Sequence, residues 1–63
     1  MFVVELIKTV EVNKLIKYEI YSYGSYYIVV DYFNNEVNGE SIPLEDYELE
    51  EYINILVKID RNK

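Results

Sequence analysis

The sequence predicts an α+β fold, a small antiparallel β-meander of three long strands plus a short fourth, with one C-terminal α-helix packed on one face. Three observations carry this. The first half of the chain is rich in β-branched and aromatic residues that alternate with polar ones, which suits half-buried strands. Asparagine- and glycine-centred turn signals and the single Pro43 then break the pattern. Finally, Leu49, Tyr52, Ile53, Leu56 and Ile59 recur at helical spacing. The 63 residues are expected to form one domain, 1–63, because a chain of this length supports a single core.

The strands are expected near residues 2–11, 15–22 and 26–33. Register follows from which face is cleaner, because a one-residue slip exchanges the faces completely. Even positions supply Phe2, Val4, Leu6, Lys8 and Val10, then Ile16, Tyr18, Ile20 and Ser22, then Tyr26, Ile28, Val30 and Tyr32. Three-residue loops at Val12-Asn13-Lys14 and Tyr23-Gly24-Ser25 place all of these on one face, with Val10 opposite Ile16, Leu6 opposite Ile20, and Ile20 opposite Ile28. Lys8 is the misfit, and its stem is expected to lie flat while the amine reaches water. The odd positions then form an aromatic second face, in which Tyr21, Tyr23, Tyr27, Val29 and Phe33 stand with Val3 and Ile7 among charged neighbours.

After Phe33, Asn34-Asn35 and Asn38-Gly39 both signal turns. The second is the stronger, since a type I′ turn needs positive φ at both central residues. A short fourth strand is expected to include Glu40 to Ile42, and Pro43 to end the ladder. The helix is expected to begin with Asp46 as its N-cap, because starting at Leu44 would point Glu45 into the apolar stripe. Glu48, Glu50 and Glu51 then lie near the positive end of the helix dipole and Lys58 near the negative end. A helix of about 13 residues is roughly 20 Å long, enough to cross a small sheet.

The composition restricts the chemistry. There is no histidine or cysteine, so the commonest general base, a thiol nucleophile and an ordinary zinc site are all missing. Ser22, Ser25 and Ser41 sit in no nucleophile elbow, and Gly24 and Gly39 form no phosphate loop. The oxygen-rich run from Asp31 to Glu40 fails the EF-hand pattern, because position 3 is Phe33 and position 6 is Glu36. No catalytic residue, cofactor or metal site is therefore expected. No stretch approaches the roughly 20 apolar residues of a membrane span, and the start lacks a signal-peptide pattern. The expected location is the cytoplasm of a bacterial cell, and the scarcity of residues with GC-rich codons points to an AT-rich bacterial or phage genome.

The net charge is −6, but it is unevenly spread. Residues 1–17 carry two carboxylates against three lysines. From Tyr18 to Val57 there are nine carboxylates and no basic residue, and Lys58, Arg61 and Lys63 follow against Asp60. A field of this sign repels nucleic acid and anionic membrane and steers basic partners inward. Glu36, Glu40, Glu45, Asp46, Glu48, Glu50 and Glu51 place seven carboxylates within sixteen residues. Such a run often does no more than keep a surface solvated. Its functional reading is a surface aimed at a lysine- and arginine-rich groove, with carboxylates standing where phosphates go and carboxylate–arginine forks as the strongest bonds.

In size, charge and this Glu36–Glu51 segment, the chain resembles small acidic phage-encoded anti-defence proteins, including anti-CRISPR inhibitors. The resemblance implies a non-enzymatic inhibitor that docks on a basic, nucleic-acid-binding protein. The expected contacts are Glu40, Glu45, Asp46, Glu48, Glu50 and Glu51, with Tyr47 as aromatic anchor. The alternatives are a homodimer or accessory module using the tyrosine-rich sheet face, and an antitoxin that neutralises a basic toxin. Single-stranded nucleic acid platforms also carry aromatics on a sheet, but they add a positive groove, which this chain lacks.

Overall fold

The computed structural model describes residues 4–61, so the expectations placed on Phe2 and Val3 lie outside the described residues. Four strands, β1 (Glu5–Glu11), β2 (Ile16–Ser22), β3 (Tyr27–Phe33) and β4 (Glu36–Glu40), form one antiparallel sheet in sequence order. The helix α1 (Asp46–Arg61) follows and lies on one face. The meander with one C-terminal helix is thus the architecture of the chain.

The first hairpin keeps the expected parity but slides along the chain. Val10 faces Tyr18 and Glu11 faces Lys17, so the three loop residues are Asn13, Lys14 and Leu15. Asn13 explains the slide. Its side-chain oxygen accepts the amides of Leu15 (2.8 Å) and Ile16 (2.9 Å), an Asx-type turn that fixes where the chain reverses. Lys8, and not Leu6, stands opposite Ile20, on the helix face and exposed. A bulge between Leu6 and Lys8 then flips the start of β1, so Leu6 faces Tyr21 instead of Ile20.

The second hairpin overturns the expected register of β3. Ser22 pairs with Tyr27, Ile20 with Val29 and Tyr18 with Asp31. Tyr23 and Tyr26 stack across the tip at 5.3 Å, with Tyr23 donating its amide to the Tyr26 carbonyl (2.9 Å). Only Gly24 and Ser25 are left between them, and Gly24 takes the required positive φ of 93°. An even loop in place of an odd one moves Val29 to the helix face and Ile28, Val30 and Tyr32 to the other. The alternation favours the even face, because the odd face carries Asp31, but the turn length puts Val29 and Asp31 on the helix side, where Asp31 accepts the Asn38 side-chain amide.

The third turn is Asn34-Asn35, with φ of 52° and 66°, joining Phe33 to Glu36. Asn38-Gly39, the stronger signal in the sequence, lies instead inside β4 beside a bulge. Asn38 donates its side-chain amide to Asp31 at 3.1 Å there, and Gly39 keeps a negative φ. Nor does Pro43 end the ladder. Leu44 pairs with Tyr27 through two backbone bonds of 2.8 and 2.9 Å. Between these pairings Ser41 is buried, and its hydroxyl accepts the Val29 amide (3.0 Å) and donates to the Ile42 carbonyl (2.8 Å).

The core is small. Tyr18, Ile20, Val29 and Leu44 are buried, and Leu49, Tyr52, Ile53, Leu56 and Val57 of the helix pack on them. Ile59, expected in this stripe, is half exposed, while Tyr18 reaches the helix end by donating its hydroxyl to Asp60. No helix residue is fully buried. The helix starts one residue earlier than expected, with Asp46 inside it and not capping it. The Glu45 carbonyl accepts the Glu48 and Leu49 amides, which makes Glu45 the N-cap and Asp46 the first helical residue. Glu48 returns its carboxylate to the Glu45 amide at 3.2 Å, one half of a capping box.

Candidate functional site

The carboxylates singled out in the sequence divide into those with a local task and those without. Glu45 caps the helix with its backbone alone, and the Glu48 carboxylate closes that cap, as described above. Asp46 accepts the Tyr27 hydroxyl, which raises the Tyr27 pKa. Both Asp46 and Glu48 also sit in the first helical turn, where the helix dipole favours an anion. Glu50 and Glu51 lie beyond that turn, are exposed, and have no such task.

Tyr47 stands at the centre of this group with 76% of its surface exposed. The charges of Glu45 and then Glu48 raise its pKa, which reports the negative potential around the ring. Tyr47, Glu50, Glu51, Asn54, Ile55 and Lys58 line a shallow depression of about 430 Å³ along the outer side of the helix. Glu40 is not part of this group. It ends β4 opposite Val30 and borders a small separate depression with Tyr52 and Leu56.

A second concavity, of about 510 Å³, runs between β1 and the helix. It is lined by the apolar Ile7, Ile20, Leu49 and Ile53 together with Lys8, Asp46 and Glu50. Sequence reading missed this groove, because Ile7 reaches it through the β1 bulge, and no residue pattern announces a bulge there.

The residues expected on an open aromatic face divide in the same way. Tyr21 is on the uncovered face. Val29 is 1% exposed in the core, Tyr27 packs against that core, and Phe33 sits half exposed at the rim of the helix face. Tyr23 belongs to the hairpin tip with Tyr26. The uncovered face is instead built from the cross-strand pairs Lys17–Tyr32, Glu19–Val30 and Tyr21–Ile28, all half-buried. Glu19 accepts the Tyr21 hydroxyl (2.9 Å) and that of Tyr32, and these bonds hold its pKa low. In return Glu19 pushes Tyr21 up to about 12 and raises Tyr32. The Lys17 ammonium lies 5.1 Å from the Tyr32 ring centre. The spacing Lys17-x-Glu19-x-Tyr21 already put three of these side chains on one face of a strand, but finding Tyr32 beside them requires the register.

Among the described residues there is no cluster of three carboxylates placed to hold a metal ion, and no helix is long and apolar enough to cross a membrane. Comparison with known proteins finds no match to a family model, a curated protein or a solved structure.

Proposed function

We propose that this chain is a non-catalytic acidic protein that docks through α1 on a basic, nucleic-acid-binding partner, and blocks it by placing carboxylates where phosphates bind. A CRISPR nuclease or another phage-defence complex in the cytoplasm of a bacterial cell is the kind of partner that fits. The observation that carries this reading is the outer side of the helix. An exposed Tyr47 is ringed by carboxylates there, and Glu50 and Glu51 have no task in holding the helix together. Tyrosine suits an anchor because it buries much area at low entropic cost and keeps a polar tip. Carboxylates around it supply bidentate sites for arginine and speed encounter with a positive groove.

The test separates docking from folding. Glu48 is left in place because it closes the helix cap, and Glu50→Lys with Glu51→Lys is combined with Tyr47→Ala in a second variant. Wild-type protein on a resin is exposed to lysate of a bacterium that carries CRISPR systems, and washed at low and high salt. A basic nuclease retained at low salt and released at high salt is expected. The charge reversal should slow its association at least tenfold, since charge complementarity acts mainly on that rate. Equal retention by the double reversal, with its circular dichroism unchanged, would refute the mimicry.

A further inference from the structure

The uncovered face of the sheet has a property that the helix side lacks, in that it is complementary to itself. Its centre consists of three cross-strand pairs between β2 and β3, each with one polar and one apolar or aromatic member: Lys17 beside Tyr32, Glu19 beside Val30, and Tyr21 beside Ile28. A two-fold axis running along the strands, midway between β2 and β3, lays β2 of one copy over β3 of the other. Each pair then meets its own mirror order. Lys17 lies over the second copy's Tyr32 ring, Glu19 over its Val30, and Tyr21 over its Ile28, so no charge lies over a like charge.

We infer that this face is the interface of a symmetric homodimer, in which two sheets stack with β2 over β3 and the helices lie outside. Burial of Glu19 is tolerable in this arrangement because its carboxylate already accepts two tyrosine hydroxyls within its own chain. Lys17 likewise keeps an aromatic face on either side. Two such sheets pack within about 30° of parallel, which holds the central pairs in register. A second copy also fits the electrostatics better than a basic partner does, since the acidic helix lies on the far side of the sheet and steers cations there.

Four strands about 4.8 Å apart, three of seven residues and β4 of five, give a face of at most about 14 by 23 Å between strand axes. That is small against the roughly 800 Å² per partner of a standard interface, so association is weak. Because both copies carry a net charge of −6, screening their mutual repulsion strengthens the dimer.

Sedimentation equilibrium across a concentration series reads this directly. The expected result is a mass rising from 7.6 kDa toward twice that value, with tighter association as salt is added. Ile28→Glu places a carboxylate over the second copy's Tyr21, diagonal to its Glu19, and should weaken association at least thirtyfold while the circular dichroism is unchanged. A wild-type chain still monomeric at about 1 mM, or a folded Ile28→Glu that dimerises as the wild type does, overturns the proposal. Should Ile28→Glu fail to fold, the wild type decides by dilution in ¹⁵N-resolved NMR. Shifts that change at Tyr21, Ile28 and Val30 support the sheet interface, and changes confined to the helix, or none, refute it.

Discussion

Replacing Val29 with alanine, and separately Val30, distinguishes the register of β3 from the alternative that alternation alone suggests. Val29 is 1% exposed and lies against Ile20, while Val30 faces the uncovered side and is half-buried. Truncating Val29 removes two buried methyl groups, about 1.6 kcal/mol of transfer free energy. A void of about 40 Å³ that fails to collapse adds about 1 kcal/mol. The total is about 2.6 kcal/mol. Val30 loses about half the transfer part and leaves no cavity, so about 0.8 kcal/mol or less is expected.

Thermal unfolding followed by circular dichroism is the assay. In a domain of this size each kcal/mol moves Tm by about 4–8 °C, so Val29→Ala should lower it by about 10–20 °C and Val30→Ala by about 3–6 °C. A core of four residues leaves a thin margin, and sulfate can be added equally to all samples to keep the weaker variant folded. If Val30→Ala cost as much as Val29→Ala or more, the inverted register would be wrong, and with it the face assigned to self-association.

Three further outcomes follow from other parts of the fold. Ser41→Ala strips the buried Val29 amide of its side-chain acceptor and should cost about 1–3 kcal/mol in urea unfolding, whereas an exposed serine such as Ser25 should cost almost nothing. Gly24 and Gly39 should separate. Alanine at Gly24 must adopt a φ of 93° and should destabilise by about 1 kcal/mol or more, while alanine at Gly39, with negative φ and open space around its Cβ position, should be neutral or stabilise by about 0.5 kcal/mol. The Glu19–Tyr21 bond gives a pH signature. Glu19 is held below its ordinary 4.5 in the folded chain, so its contribution is present above that value and fades as pH falls through the lowered pKa. Tyr21 is raised from 10.0 to about 12, so its contribution is full below 10 and fades as pH rises toward 12. Glu19→Gln should therefore lower Tm at pH 7, with the difference from wild type closing at acid pH.

What the sequence revealed of this fold depended on whether one signal or two competed at a position. The helix was legible because Leu49, Tyr52, Ile53 and Leu56 repeat without a rival pattern, and the first hairpin kept its parity because Lys17 and Glu19 mark one face of β2 as polar. β3 was not legible. Asp31 makes the face of Tyr27, Val29 and Phe33 the less apolar one, yet the length of the Gly24-Ser25 turn put that face toward the helix, and Asp31 is accommodated there by Asn38. Asn38-Gly39 misled because it carries the preferred turn residues, yet Asn34-Asn35 tolerates positive φ nearly as well and lies at the point where the ladder can close with two residues. Of the carboxylates singled out in the sequence, Glu45, Asp46, Glu48, Glu50 and Glu51 lie at or near the start of the helix. Glu40 was separated from them by the β4 register, and the structural work of Glu45, Asp46 and Glu48 emerged only from the cap geometry.

The proposed docking helix and the proposed dimer face make opposite demands on salt, and that constrains how they can act together. Docking of the acidic helix on a basic partner weakens as salt rises, because its attraction is long-range and screened. Stacking of two like-charged sheets strengthens under the same change. In the stacked arrangement the helices lie on opposite outer sides, separated by about three layers of roughly 10 Å, and face away from each other. A single basic groove cannot engage both, so dimerisation adds no avidity toward one partner molecule. At low salt the partner complex should therefore contain one copy of this chain, and at intermediate salt a dimer should bridge two partner molecules before both contacts are lost. Light scattering of a captured partner mixed with excess chain reads the stoichiometry at each salt. A two-to-one complex of chain to partner at low salt would mean that the two surfaces are not independent, and that at least one of the assignments to opposite sides of the sheet is wrong.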